Sequence, residues 1–228
     1  MEILQKIREL VKPQYDELKC WVHSWMHIED VVKNAEKLAN LEGINPIPCI
    51  IAAYCHDLGR VEEERRKKRG EIPLPHALLS IEPTIKVLQA VGISGIEFDE
   101  IVEAVTVHSY RVYEGNNNVA KILQDADKTT GLESRAFLDI INYFGEKDYV
   151  NPNEIIKNKD NKEKIRELND YSLKQIEKGP MLEGVMKGLR IKIEWWDMFH
   201  TKHARLLAQE GYEYLIKCKD YLIKKFNL

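Results

Sequence analysis

Residues 46–59, Pro-Ile-Pro-Cys-Ile-Ile-Ala-Ala-Tyr-Cys-His-Asp-Leu-Gly, constrain the fold of this chain more than any other stretch. Pro46 and Pro48 suit a helix start, where the first backbone N–H groups lack partners, and Gly59 suits the cap beyond its end. The helix predicted between them, over about 49–57, is apolar nearly all round, so other elements must cover it on every side. His56 and Asp57, two strong metal ligands, then sit where this buried segment meets a turn. One imidazole and one carboxylate do not make a site, so their partners must come from elsewhere in the chain.

The neighbouring segments are also helical in pattern. Ile28, Val31, Val32, Ala35, Leu38 and Ala39 recur at three- and four-residue steps and predict an amphipathic helix over about 27–41, with His27 in its first turn. Further helices are predicted at about 76–91, 97–109, 118–129 and 131–144, separated by Gly92-Ile93-Ser94-Gly95 and Glu114-Gly115-Asn116-Asn117-Asn118. Past Gly145 the chain turns polar and reads as a surface connection, followed by helices at about 162–178, 182–198 and 200–226. Tyr212, Leu215, Ile216, Tyr221, Leu222 and Phe226 give the last of these a packing face. No stretch alternates with the period of two that a half-buried strand requires. The expectation is an all-α bundle, with residues 1–150 as the core and 151–228 as helices packing on it within one structural domain.

Composition excludes several classes. At 228 residues, 44% of them hydrophobic, the chain can bury a large core without disulfides. Cys20, Cys49, Cys55 and Cys218 form no C-x-x-C pair, which argues against a zinc knuckle or redox motif, and they read as reduced core or surface residues. A net charge of −3 gives no general attraction to nucleic acid, and the basic run at 65–69 follows directly on Glu62, Glu63 and Glu64. No apolar stretch approaches the roughly 20 residues needed to cross a bilayer, and residues 1–6 lack a signal-peptide pattern, so no membrane partner and a cytoplasmic location are expected. Oligomeric state is left open.

The partners of His56 and Asp57 are found in His27-Ile28-Glu29-Asp30-Val31 upstream and Leu123-Gln124-Asp125-Ala126-Asp127-Lys128 downstream. His, His-Asp and Asp in that order resembles the HD-domain metal-dependent phosphohydrolase superfamily. His76-Ala77-Leu78-Leu79-Ser80 and Val105-Thr106-Val107-His108-Ser109-Tyr110-Arg111 are also similar to recurrent segments of that family. The resemblance covers residues 20–145 strongly and the C-terminal third weakly. It implies that residues 1–150 are an HD-type helical core, that the metal site lies between helices, and that His27, His56, Asp57 and Asp127 are metal ligands. Mixed imidazole and carboxylate donors suit Mn, Mg, Ni, Co, Fe or Zn as the divalent ion.

Asp57, His76 and His108 are the expected catalytic groups. In some relatives two such histidines complete a centre with a second ion, and in others they line the pocket and bind phosphate or the attacking water. For phosphate contacts the expectation falls on Arg60, Arg111 and Lys128, each close in sequence to a site motif. Residues 60–69 read as a charged, solvated loop between Asp57 and His76, with Glu62, Glu63 and Asp30 available for general acid or base work. His23 reads as an outer or surface residue, and His200 and His203 as packing and hydrogen-bonding residues.

The function implied by the resemblance is metal-dependent hydrolysis of a small phosphorylated substrate, foremost a nucleotide, at a monoester, diester or pyrophosphate bond. The segment His200-Thr201-Lys202-His203-Ala204-Arg205 is similar to a subfamily that leans toward nucleotide pyrophosphohydrolase or general phosphohydrolase activity. The alternatives are an HD-type di-iron oxygenase, which needs both His76 and His108 as ligands, and a non-catalytic metal or nucleotide sensor.

Overall fold

A computed structural model of the chain describes residues 2–18, 21–145 and 149–228; Cys20 lies outside the described residues. These residues form helices, turns and connections with no strand among them. None of the described helices is long and apolar enough to cross a membrane. The chain divides into two compact units, one of Met1–Asp127 with His200–Ala204 and one of Lys128–Phe199 with Arg205–Leu228.

The first unit is built from α1 (Glu2–Tyr15), α2 (Trp25–Leu41), α3 (Pro46–Cys55), α4 (Arg60–Arg69), α5 (His76–Leu79), α6 (Ile81–Ala90), α7 (Gly95–Val107) and α8 (Asn118–Thr130) as far as Asp127. α3 is its axis, packed by α2, α7 and α1. Every residue from Pro48 to Cys55 is buried, as its uniformly apolar sequence requires. Asn45 starts it by accepting the Ile47 N–H, and Pro46 fills the first turn, where a missing N–H costs nothing. At its other end the Tyr15 hydroxyl donates to the Tyr54 carbonyl at 2.8 Å, satisfying a carbonyl that the helix terminus leaves open. Tyr15, Trp25 and Tyr54 then pack as one aromatic cluster, Trp25 stacked on Tyr54 with 5.9 Å between ring centres.

The second unit holds α9 (Ala136–Ile140), a π-turn at Ile141–Gly145, α10 (Pro152–Lys157), α11 (Lys162–Gln175), α12 (Pro180–Glu194), a 3₁₀ turn at Trp195–Met198 and most of α13 (Lys202–Phe226). α12 lies against the π-turn. A Cβ on Gly184 would meet the Phe144 carbonyl oxygen at 1.8 Å, so the approach of the two backbones depends on glycine.

Four segments differ from the sequence expectation: besides the three that follow, α10 (Pro152–Lys157) forms where a surface connection was read, started by Asn151, which accepts the Asn153 N–H. Residues 60–69, read as a loop, form α4. The segment contains no glycine or proline, carries Glu62 and Glu63 in its first turn and Arg66, Lys67, Lys68 and Arg69 in its last, and so complements the helix dipole at both ends. Gly70 closes it at φ 69°, its N–H donating to the Lys67 carbonyl while the Glu71 N–H donates to that of Arg66. The single helix expected at 76–91 is broken at Ser80: Pro83 has no N–H to offer Leu79, and the Thr84 hydroxyl donates to the Ser80 carbonyl at 2.7 Å. The helix expected at 131–144 is a turn followed by α9 and the π-turn.

Candidate metal centre

Five helices of the first unit carry the histidines and aspartates singled out by sequence. His27 lies in the first turn of α2, His56 and Asp57 follow the last turn of α3, His76 opens α5, His108 caps α7, and Asp127 lies on α8. Gly59 makes the joint between two of these segments. A Cβ there would meet the His76 carbonyl oxygen at 2.3 Å, so only glycine lets the turn after Asp57 touch the backbone of α5. The Ser80 hydroxyl secures that contact: it accepts the Gly59 N–H at 2.8 Å and lies 2.8 and 2.9 Å from the His56 and His76 carbonyls, to which it donates.

Asp57 stands between two triads of donor atoms, one of His27, His56 and Asp57 and the other of Asp57, His76 and His108. On one side Asp57 Oδ2 is 3.7 Å from His56 Nε2, and His27 Nε2 is 3.3 Å from Asp127 Oδ1. On the other, Asp57 Oδ1 is 3.3 Å from His76 Nε2 and 3.7 Å from His108 Nε2, while the two imidazole nitrogens are 3.1 Å apart. Two ligand atoms each about 2.1 Å from one ion, at a right angle, are about 3 Å apart, so these spacings suit a shared cation.

The ring nitrogens are oriented for ligation. His56 and His108 sit just past helix ends, and each Nδ1–H donates to the carbonyl three residues back, Ala53 at 2.8 Å and Val105 at 2.7 Å. That fixes the Nε2 lone pair of each toward Asp57. His56 Nε2 is buried and has no hydrogen-bond partner, the kind of orphaned atom that a bound cation accounts for.

Charge states agree with this geometry. Burial lowers His56 to about 4 and His76 to about 3, keeping both imidazoles neutral at pH 7. Burial would raise Asp57, but the Arg60 guanidinium and the surrounding histidines hold it well below the usual carboxylate range. Burial likewise opposes ionisation of Asp127, and the hydrogen bond from His27 together with the nearby His27 and His56 imidazoles outweighs it, holding the carboxyl below its usual range. Ionised carboxylates beside neutral imidazoles are the protonation state that a divalent ion requires of its ligands, so the residues present fit one.

The expected phosphate-binding residues are dispersed. Arg60 lies with Nε 3.0 Å from Asp57 Oδ1 and Nη1 3.5 Å from Glu63 Oε2, so it touches the centre through Asp57. Arg111 is exposed in the connection after α7, and Lys128, in the second unit, is buried directly after Asp127. Most α4 charges pair among themselves or with neighbours: Lys67 with Glu63, Arg66 with Glu71, Arg69 with Glu62 and Glu71, and Arg65 with Glu17. His23 packs edge-on against His27, and His203 pairs with Glu42 at 2.9 Å.

Sequence reasoning missed the hub formed by Gln124 and Asp125. Gln124 donates to the Val107 and Tyr110 carbonyls and accepts from Tyr113 N and His200 Nε2, fixing the turn that carries His108. Buried Asp125 accepts three bonds of 2.8 Å from His200 N, Thr201 N and the Thr201 hydroxyl, and so caps the start of α13. Asp125 could have been separated from Asp127 in advance only by the two-residue step, which turns them to different faces of α8.

Residues 25–132 match the family model of the HD domain. Among solved structures, the chain is similar to a predicted HD superfamily hydrolase from an uncultured Thermotogales bacterium, with 20% identity and a TM-score of 0.55 over 99% of this chain and 91% of that one. It is also similar to Bacillus subtilis YpgQ, with 20% identity and a TM-score of 0.58 over 99% of this chain and 98% of that one. At that identity the likeness speaks for the fold. No curated protein matches.

Proposed function

We propose that the HD domain at residues 25–132 makes this chain a metal-dependent phosphohydrolase that acts on a small phosphorylated substrate, foremost a nucleotide. The observation that carries the reading is the meeting of His27, His56 and Asp57 in one cluster, with Asp127 3.3 Å from His27 and the buried His56 Nε2 left without a hydrogen-bond partner. These four residues would hold the ion. The chemistry that a divalent cation would supply there is Lewis acidity toward water and toward the charge of the phosphoryl group.

The protein residues supply orientation and charge. His56 presents a fixed lone pair because its Nδ1–H is held by Ala53. Arg60 keeps Asp57 ionised and restrains its Oδ1. His76 and His108 face the same carboxylate from the other side, where they could accept from the attacking water or help to hold a second ion. Arg111, exposed on the connection after α7, is the residue we propose for contact with the substrate phosphates. The nucleotide assignment leans on the 200–205 segment, whose His200 and Thr201 are anchored to Gln124 and Asp125 of the helix that carries Asp127.

The alternative of a di-iron oxygenase draws on the same approach of His76 and His108 to Asp57 and predicts an oxygen-sensitive iron spectrum. A non-catalytic sensor predicts metal binding without turnover. The deciding experiment is elemental analysis of the purified chain, combined with a panel of mono-, di- and pyrophosphoesters in Mn²⁺, Mg²⁺, Ni²⁺ and Co²⁺. Turnover is expected with at least one ester, and Asp57→Asn, which keeps shape but removes charge, should lower it by about three orders of magnitude while helical circular dichroism persists. Wild-type rates from Asp57→Asn in metal-defined buffer would eliminate the mechanism.

A further inference from the structure

Asp57 belongs to both triads of donor atoms, yet the two sides of its carboxylate are unlike each other. Toward His27 and His56, Oδ2 lies 3.7 Å from His56 Nε2, a buried nitrogen with no hydrogen-bond partner. Toward His76 and His108, every donor atom of the triad has a partner within the chain. His76 Nε2 and His108 Nε2 are hydrogen-bonded to each other at 3.1 Å, and Oδ1 accepts the Arg60 Nε–H at 3.0 Å. A bond between two imidazole nitrogens uses the proton of one and the lone pair of the other, so this pair as it stands does not offer two lone pairs to an ion.

Arg60 is the closest of the three groups around Oδ1; His76 Nε2 follows at 3.3 Å and His108 Nε2 at 3.7 Å. It is also held in place. It opens α4, its backbone N–H donates to the Asp57 carbonyl at 3.0 Å, and its Nη1 lies 3.5 Å from Glu63 Oε2. A guanidinium keeps its charge at any pH near neutrality. We propose that the Arg60 guanidinium takes the place of a second cation at Asp57 and so limits the centre to one ion, on the side of His27 and His56.

Two ions about 3.5–4 Å apart would have to share Asp57, one on each oxygen. The ion on Oδ1 would then share that oxygen with a permanent cation, beside a carboxylate only 1% exposed, where water screens like charges poorly. His76 and His108 are left as hydrogen-bonding groups, and the di-iron alternative loses its second ion. The inference rests on the metal-centre reading above and adds the number of ions to it; it does not depend on which reaction the centre carries out.

The test is a Mn²⁺ titration of the metal-free full chain, counting bound equivalents by calorimetry and reading Mn–Mn spin coupling by electron paramagnetic resonance. The wild type should bind one equivalent and show an uncoupled spectrum. Arg60→Met and Arg60→Gln, which remove the charge, should bind two and show coupling, while Arg60→Lys, which keeps it, should bind one. Adding His76→Gln to Arg60→Met should return the count to one, placing the gained ion on the His76 side. A single equivalent in both uncharged variants, with native helical circular dichroism, overturns the proposal. Two equivalents in the wild type overturn it as well and leave the metal-centre reading standing, whereas a wild type that binds no Mn²⁺ refutes that reading and this inference with it.

Discussion

α3 and α4 are consecutive helices of ten residues each, separated only by the turn at 56–59. α3 carries no charge and is buried from Pro48 onward; nine of the ten residues of α4 are charged, and none is buried. The first exists because its side chains leave water on every face, and its end therefore projects His56 and Asp57 into the interior at a fixed place. The second exists because local terms agree: acid at its start, base at its end, a left-handed glycine to stop it and ion pairs along it. The centre uses both kinds, with Asp57 set by burial and Arg60 brought to it by a helix that contributes no buried residue. Burial places the ligands and local charge places the group that tunes them, which is the division that the contrast teaches.

The sharpest way to break that contrast is to cut the core of α3. Ile51 is fully buried, and Ile51→Ala should cost about 2–5 kcal/mol in urea unfolding, because the lost transfer energy is joined by the cavity left behind. A cost below about 1 kcal/mol would mean that α3 is not the packed axis described.

Acid should weaken the α3 end of the comparison by a similar amount in the metal-free chain. His56 titrates at about 4 when folded, because burial disfavours its charge, and near 6.5 when unfolded. Between those values the unfolded chain binds a proton that the native chain does not, so stability rises with pH and is lost as pH falls from about 6.5 to 4. The loss from His56 is on the order of 3 kcal/mol, with Asp57 and Asp127, held low by their partners, adding to it below the normal carboxylate range. Urea titrations at pH 7 and 4.5 read it, and equal midpoints would contradict the neutral buried state of His56.

The same contrast explains how much was legible in the sequence. Burial leaves a pattern, so the position of α3, the amphipathic stripe of α2 and the all-α architecture could be read directly. The HD-domain resemblance could also be read, because its residues recur in order, and the matched span of 25–132 falls inside the stretch where it was strongest. α4 was hidden because its stability comes from capping and dipole terms that leave no apolar period. The break at Ser80 was hidden because it turns on one missing N–H at Pro83. Arg60 looked like a phosphate clamp by its place beside Asp57, while its bond to the Asp57 carboxylate depends on α4 being helical. Whether His76 and His108 line a pocket or share an ion depends on ring orientation, which no spacing encodes.

The smallest effect belongs to the surface of α4. Arg65 pairs with Glu17, and both side chains are more than half exposed. Such a pair gains little in high dielectric and gives up side-chain freedom to form, so Arg65→Gln should change stability by no more than about 0.5 kcal/mol, and by less still in 1 M salt. Turnover should change as little, since Arg65 faces Glu17 and not Asp57. A double-mutant comparison sharpens the point: Arg65→Gln should be additive with Ile51→Ala, because the two sites share no partner. A coupling above about 1 kcal/mol between Arg65 and Ile51 would show that α4 transmits strain into the core, and the division between a helix held by burial and one held by local charge would fail.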